Sequence, residues 1–280
     1  MIRSTDFKEN PRPNSSMTLA AEVLSDVVEA DGYLHKLLAA EAVDTSAAAP
    51  VMGVRARLLP LLRNCLADRL LAVEPTGAFV KGTAIRSCAH LDLLLSIAPG
   101  VGQSLRELHD LLFSLLYASG YSPWRHGAGI NVRVQGYSVD VLPGYRERLD
   151  SEEHQLYLPG RDVVVRTNPA RHSAHVRSAN RLDETRILKL WSKQHRLDLP
   201  SLYLELVIIR ALAARSSPYV SANVSTVLEY LRDAFAHAQF VDPANEGNVV
   251  SDLLTPEQKR VVAATARVAL AAPRWRAIVR

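Results

Sequence analysis

The sequence predicts an α+β protein in which a mixed sheet unit is followed by an all-helical half. Three observations carry that prediction. Apolar residues recur at helical steps over 17–41 and 53–72. The period then switches to two, in runs at 90–97, 130–135 and 137–143. From about residue 170 onward only helical patterns return.

The elements follow in order. Residues 1–16 set Pro11, Pro13, Asn14, Ser15 and Ser16 among charges and read as disordered. Leu19, Val23, Val27, Val28, Leu34, Leu37 and Leu38 line the first helix. AVDTSAAAP, at 42–50, reads as a loop. Leu58, Leu61, Leu62, Leu66, Leu70 and Leu71 line the second helix, and Pro60 kinks it or marks its first turn. Residues 77–89 read as a glycine turn and a polar loop, and 90–97 as a strand. A third helix, GQSLRELHDLLFSLLYASGY, is ended by Gly120. INVRVQ and YSVDVLP, joined at Gly136, read as an antiparallel hairpin in which Asp140 faces away from Val139 and Val141. A charged loop and a short apolar run, Val163–Val165, precede helices at 171–180, 183–195, 200–214, 222–238 and 256–271. The expected division is a sheet unit with its N-terminal helices at 17–165 and a helical domain at 166–280.

The composition excludes several classes. Of 280 residues, 48% are apolar and 22% charged, as in ordinary globular chains. No run reaches the roughly 18 apolar residues that a membrane span needs, and the polar start has no signal-peptide core. A cytoplasmic protein with no membrane partner is the expectation. Two cysteines, Cys65 and Cys88, imply no disulfide framework. The net charge of +4 permits a polyanionic partner such as nucleic acid without arguing for one.

Chemistry concentrates in GAFVKGTAIRSCAHLDLLLSI, residues 77–97. A lone carboxylate, Asp92, stands between two leucines, and burying it without a partner is costly. His90 shares its strand face. Nucleotidyl transfer needs divalent ions bridging phosphates, and Mg²⁺ prefers carboxylate oxygens. An Asp-x-Asp on one strand and a third Asp on its neighbour supply them, while a Gly-Ser turn can hold the triphosphate.

This stretch resembles the Gly-Ser plus Asp-x-Asp signature of the DNA polymerase β-like nucleotidyltransferases, nearest to the CD-NTases, the cyclic-GMP-AMP-synthase-like and oligoadenylate-synthetase-like group. KGTAIR carries the likeness. YSVDVLPG, TNPARHSAHVRSANR with ILKLWSKQH, LPSLYLELVII and VDPANEGNVVSDL extend it in order over about 55–265. The resemblance implies a nucleotidyltransferase sheet domain and a helical domain, with Mg²⁺ or Mn²⁺ held by Asp92 and Asp140. It implies nucleoside triphosphates contacted by Gly77, Ala78, Lys81, Thr83, Lys189 and Ser201. It also implies cyclic or linear oligonucleotide signals in antiviral defence, and an effector or partner protein. Two positions depart from the pattern: Ala78 stands where the family has serine, and His90 where it has the first carboxylate. Imidazole is a poor ligand for Mg²⁺ but acceptable for Mn²⁺ or Zn²⁺. Two readings therefore stand side by side, a nucleotidyltransferase with His90 among its catalytic residues, and an inactive nucleotide- or partner-binding protein on the same fold. A nucleic-acid-binding module is a third, supported only by charge. His172 and His175 share a helix face, but no cysteine or carboxylate cluster in the sequence completes a zinc site with them.

Overall fold

A computed structural model describes residues 15–46, 48–99 and 102–280. Helix α1 runs over Ser15–Ala40 and α2 over Gly53–Leu66, with Pro60 inside it. The expected disorder at 1–16 falls outside the described residues, except that Ser15 and Ser16 open α1. Strand β1 (Leu70–Thr76) is followed by the short helix α3 (Gly77–Lys81), β2 (Leu91–Ile97) and α4 (Leu105–Ala118). Then come β3 (Trp124–His126), β4 (Gly129–Val134), β5 (Tyr137–Arg146), β6 (His154–Leu158) and β7 (Val163–Thr167). The helical half comprises α5 (Pro169–Ser178), α6 (Leu182–Gln194), α7 (Ser201–Leu212), α8 (Val220–Asp233), α9 (Pro256–Leu270) and α10 (Trp275–Ile278). A small ribbon, β8 (Val241–Asp242) with β9 (Asn245–Val249), is set between α8 and α9 in the chain.

The main sheet has the order β1-β2-β5-β4-β3, with β6 pairing the far end of β5 and β7 pairing β6. Among the described residues only β2 and β5 run parallel; the other pairs are antiparallel. The α+β class therefore holds. Alternation explains what each face does. Leu91, Leu93, Leu95, Val139, Val141, Ile130 and Val132 are buried on one face, against Leu58, Leu62 and Leu66 of α2 and Leu108, Leu112 and Leu116 of α4. Asp92, Asp140 and Asn131 are left on the other face.

A second core fills the helical half around Trp191, Tyr203, Val224, Leu228, Phe235 and Phe240. Leu34 and Leu38 of α1 and Ile85 of the loop after α3 bury into it as well.

Several elements differ from the expectation. The second helix stops at Leu66, and residues 70–72 belong to β1. The glycine turn winds into a five-residue helix closed by Gly82 in the left-handed region. The charged loop contains β6, and the loop after α8 contains the β8–β9 ribbon.

Candidate metal centre

Sheet register builds the site. Asp92 lies beside Asp140 across the parallel β2–β5 pair, and Asn131 lies opposite Asp140 across β4–β5. Each strand's leucines or valines point to the core, so both carboxylates are turned to the same outer face. His90, just ahead of β2, completes the group. Its Nε2 stands 3.4 Å from Asp92 Oδ1 and 3.5 Å from Asp140 Oδ2. One donor atom from each of the three lies within 4.8 Å of the others.

Asp140 is the most firmly held. Its Oδ1 accepts from Asn131 Nδ2 at 2.5 Å, and its Oδ2 accepts from His126 Nδ1 at 3.0 Å. Asn131 is itself fixed by Ser138, whose Oγ is 2.9 Å from the same Nδ2. Burial alone would raise the Asp140 carboxyl. The His126 hydrogen bond, the His90 charge and the Asn131 amide more than offset it, and the group stays below its usual range. The His90 imidazole is pushed up to about 9, chiefly by its contact with the Asp92 carboxylate, against the effect of burial and with help from Asp140. His126 is raised too, first by its hydrogen bond to Asp140.

The donor set fits a divalent ion. Two ionised carboxylates carry two negative charges, which one dication balances.

Gly77 sits directly above Asp92. It opens α3 at φ +67°, and an added Cβ would stand 1.7 Å from Asp92 Oδ2. Only glycine allows both that backbone and that approach. Ala78 follows it, half-buried, and offers backbone groups alone. A cavity of about 440 Å³ opens beside His90. Phe79 and Tyr137 line it with Arg86, Arg133 and Ser138.

The other expected nucleotide contacts lie elsewhere. Lys81, Thr83 and Lys189 are buried together around Glu205 of α7. Glu205 takes Lys81 Nζ at 2.8 Å on one oxygen, and Lys189 Nζ at 3.1 Å and Thr83 Oγ1 at 3.0 Å on the other. Lys189 Nζ also donates to Thr83 Oγ1 at 2.9 Å. Burial would raise Glu205, but the two ammonium groups outweigh it and hold the carboxyl low. Burial and the neighbouring Lys81 charge lower the Lys189 ammonium. The cluster joins the end of α3 to α6 and α7. Ser201 is exposed at the first position of α7, after Pro200.

Sequence reasoning missed His126, Asn131 and Glu205. Asn131 was legible, since it alternates with Ile130 and Val132 and the Gly136 turn sets it opposite Asp140. Glu205 carried a signal as well. Leu204, Leu206, Val207 and Ile208 surround it with apolar residues, so the helix leaves it no wet face. His126 carried none, because β3 is three residues long and exposed.

No protein-family model matches the chain, and no curated protein matches it in sequence. Solved structures do match. CdnC of E. coli MS115-1, in its complex with HORMA-deltaN, aligns at TM-score 0.69 and 20% identity, covering 85% of this chain and 88% of that one. The CD-NTase CdnG of Bradyrhizobium diazoefficiens, in complex with GTP, aligns at 0.68 and 13%, covering 87% and 93%. The DncV cyclic AMP-GMP synthase of Vibrio cholerae aligns at 0.56 and 14%, covering 92% and 85%. The parallel β2–β5 pair, its flanking antiparallel strands and the helical half that follows are the fold of the CD-NTases.

Proposed function

We propose that this chain binds a nucleoside triphosphate through one divalent ion held by Asp92, Asp140 and His90, and transfers its nucleotidyl group to a hydroxyl. The convergence of those three side chains beneath the Gly77 turn carries the reading. The shared fold with CdnC, which is solved with ATP, supports it. Likeness to DncV, a cyclic AMP-GMP synthase, suggests a cyclic or linear oligonucleotide as product. Likeness to CdnC, solved in complex with HORMA-deltaN, supports a protein partner.

Each residue has a role in that reading. Asp92, Asp140 and His90 would hold the ion, which would supply charge neutralisation at the phosphates as a hydroxyl displaces pyrophosphate. Asp140, with its lowered pKa and hydrogen bonds to Asn131 and His126, stays ionised as a ligand. Asp92 is the second anionic ligand, set by the Gly77 approach. His90 in place of a carboxylate leaves two negative charges, which suits one ion rather than two. With Ala78 at the turn, phosphate contact rests on backbone groups there. The cavity beside His90 has apolar walls and two arginines, features that suit a base and a phosphate.

Pyrophosphate release from the four nucleoside triphosphates, with Mg²⁺ or Mn²⁺, tests the reading. Turnover is expected, and Asp92→Ala or Asp140→Ala should lower it by about 10²-fold or more. The pair His90→Asp with Ala78→Ser should raise turnover with Mg²⁺, since it restores a third carboxylate and a hydroxyl. Nucleotide binding without pyrophosphate release in any of these conditions would sink the transfer step.

A further inference from the structure

Nucleotidyl transfer has two substrates, and the cavity beside His90 suits one base. Sheet register points to a place for the second. Asp92, Asp140, Asn131 and Trp124 are successive cross-strand partners over β2, β5, β4 and β3. Partners in such a row project from one face. Trp124 therefore shares the outer face with both carboxylates. Its neighbours in β3 agree. His126, two residues on, hydrogen-bonds Asp140 on that face. Arg125, between them, turns the other way and stacks its guanidinium over the Phe113 ring of α4, 4.5 Å from the ring centroid.

Trp124 is 45% exposed there. Among the described residues no ring or cation stacks on it. Strand β3 ends the sheet order, so no further strand flanks it. Neighbouring strands lie about 4.8 Å apart, which sets Trp124 about 10 Å across the sheet from Asp140. A nucleoside and an indole cover that span between them. A large apolar ring on an open sheet edge invites wrong pairing, and a flat ligand would cover it.

We propose that Trp124 is the stacking platform for the base of the hydroxyl-bearing substrate, a nucleoside or the end of a short oligonucleotide. The proposal rests on the reading of Asp92, Asp140 and His90 as a nucleotidyl-transfer centre. The cavity is lined from the β4–β5 turn and carries Arg86 and Arg133, which suit the charged triphosphate. Trp124 stands outside that cavity, at the sheet edge. Stacking uses the face of the base rather than its hydrogen-bonding edge, so the platform tolerates any base.

The dinucleoside monophosphate ApA, with a free 3′-hydroxyl and no triphosphate, is the probe. It is titrated in the presence of Mn²⁺, with calorimetry and tryptophan fluorescence as readouts. ApA should bind and quench the fluorescence. Trp124→Ala should abolish the quenching and weaken ApA binding about tenfold. Trp124→Phe keeps a ring and should retain most of the affinity. Mn²⁺ affinity should be unchanged in both variants, since Trp124 holds no ion. With ATP as donor and ApA as acceptor, Trp124→Ala should raise the KM for ApA about tenfold and leave kcat within about twofold. Equal ApA affinity in the parent and in Trp124→Ala overturns the proposal, and so does a parent that does not bind ApA. ApA binding that depends on Trp124, without pyrophosphate release, leaves the platform standing and removes the transfer reading. Pyrophosphate release with an unchanged KM for ApA in Trp124→Ala does the reverse.

Discussion

Gly77 shows how much one missing side chain can decide. Its left-handed backbone costs any other residue about 1–2 kcal/mol. A methyl there would also strike the Asp92 carboxylate. Gly77→Ala is therefore expected to lower the melting temperature modestly and to weaken Mn²⁺ binding much more, because Asp92 must leave its position. Calorimetry beside a metal titration separates the two effects, and unchanged metal affinity would contradict this account. Glu205 decides by the opposite means, a charge that is present. Removing it in Glu205→Ala leaves Lys81 and Lys189 buried without a counter-charge. Breaking such a pair costs about 3–5 kcal/mol, measurable as a lower midpoint in urea unfolding. Lys81→Met in the same background should recover part of the loss by removing one stranded charge.

At the scale of elements, helix α4 covers the core face of the sheet while Asp92 and Asp140 occupy the other. Its N-terminus carries a reciprocal cap between Ser104 and Glu107. Ser104→Ala is expected to lower stability by about 1 kcal/mol in urea unfolding and to leave Mn²⁺ affinity unchanged. The strands nearest the site were the most legible in the sequence. The leucines at 91, 93 and 95 and the valines at 139 and 141 recur at every second position and face the core, and Asp92 and Asp140 fall on the remaining face. Strand β1 was hidden because Leu70 and Leu71 continue the three- and four-residue steps of α2. Pro75 also argues against a strand, but β1 is a sheet edge, where a missing N–H is tolerated. Strand β6 was hidden because HQLYL mixes polar and apolar residues, with His154 rather than an aliphatic residue buried. The seam around Glu205 joins residues far apart in sequence, and no local pattern reports which lysine a buried carboxylate will meet.

Across the whole molecule, two cores are tied by polar links as well as by apolar packing. Besides the Glu205 cluster, His172 of α5 donates from Nε2 to Asp242 Oδ1 at 2.6 Å and anchors the β8–β9 ribbon. Burial would raise the Asp242 carboxyl, but His172, the Ala244 N–H and the Asn248 amide together hold it below its ordinary 3.8. A carboxyl with a lowered folded pKa stabilises above its unfolded value, and that contribution is lost as pH falls through the folded one. Asp242→Asn is therefore expected to be less stable than the parent at neutral pH and to show a flatter stability profile below pH 4. An unchanged acid limb in thermal melts would count against the assignment.

The parallel pairing of β2 with β5 has one more consequence. A parallel pair has no tight turn to set its alignment, and helix α4 and strands β3 and β4 lie between β2 and β5 in the chain. Slippage by one residue would send Asp140 into the core and a valine to the outer face. An ion gripped by Asp92 and Asp140 would act as a rivet between those strands, rewarding the correct alignment and no other. Metal uptake during refolding would then time the moment at which the chain commits to its sheet.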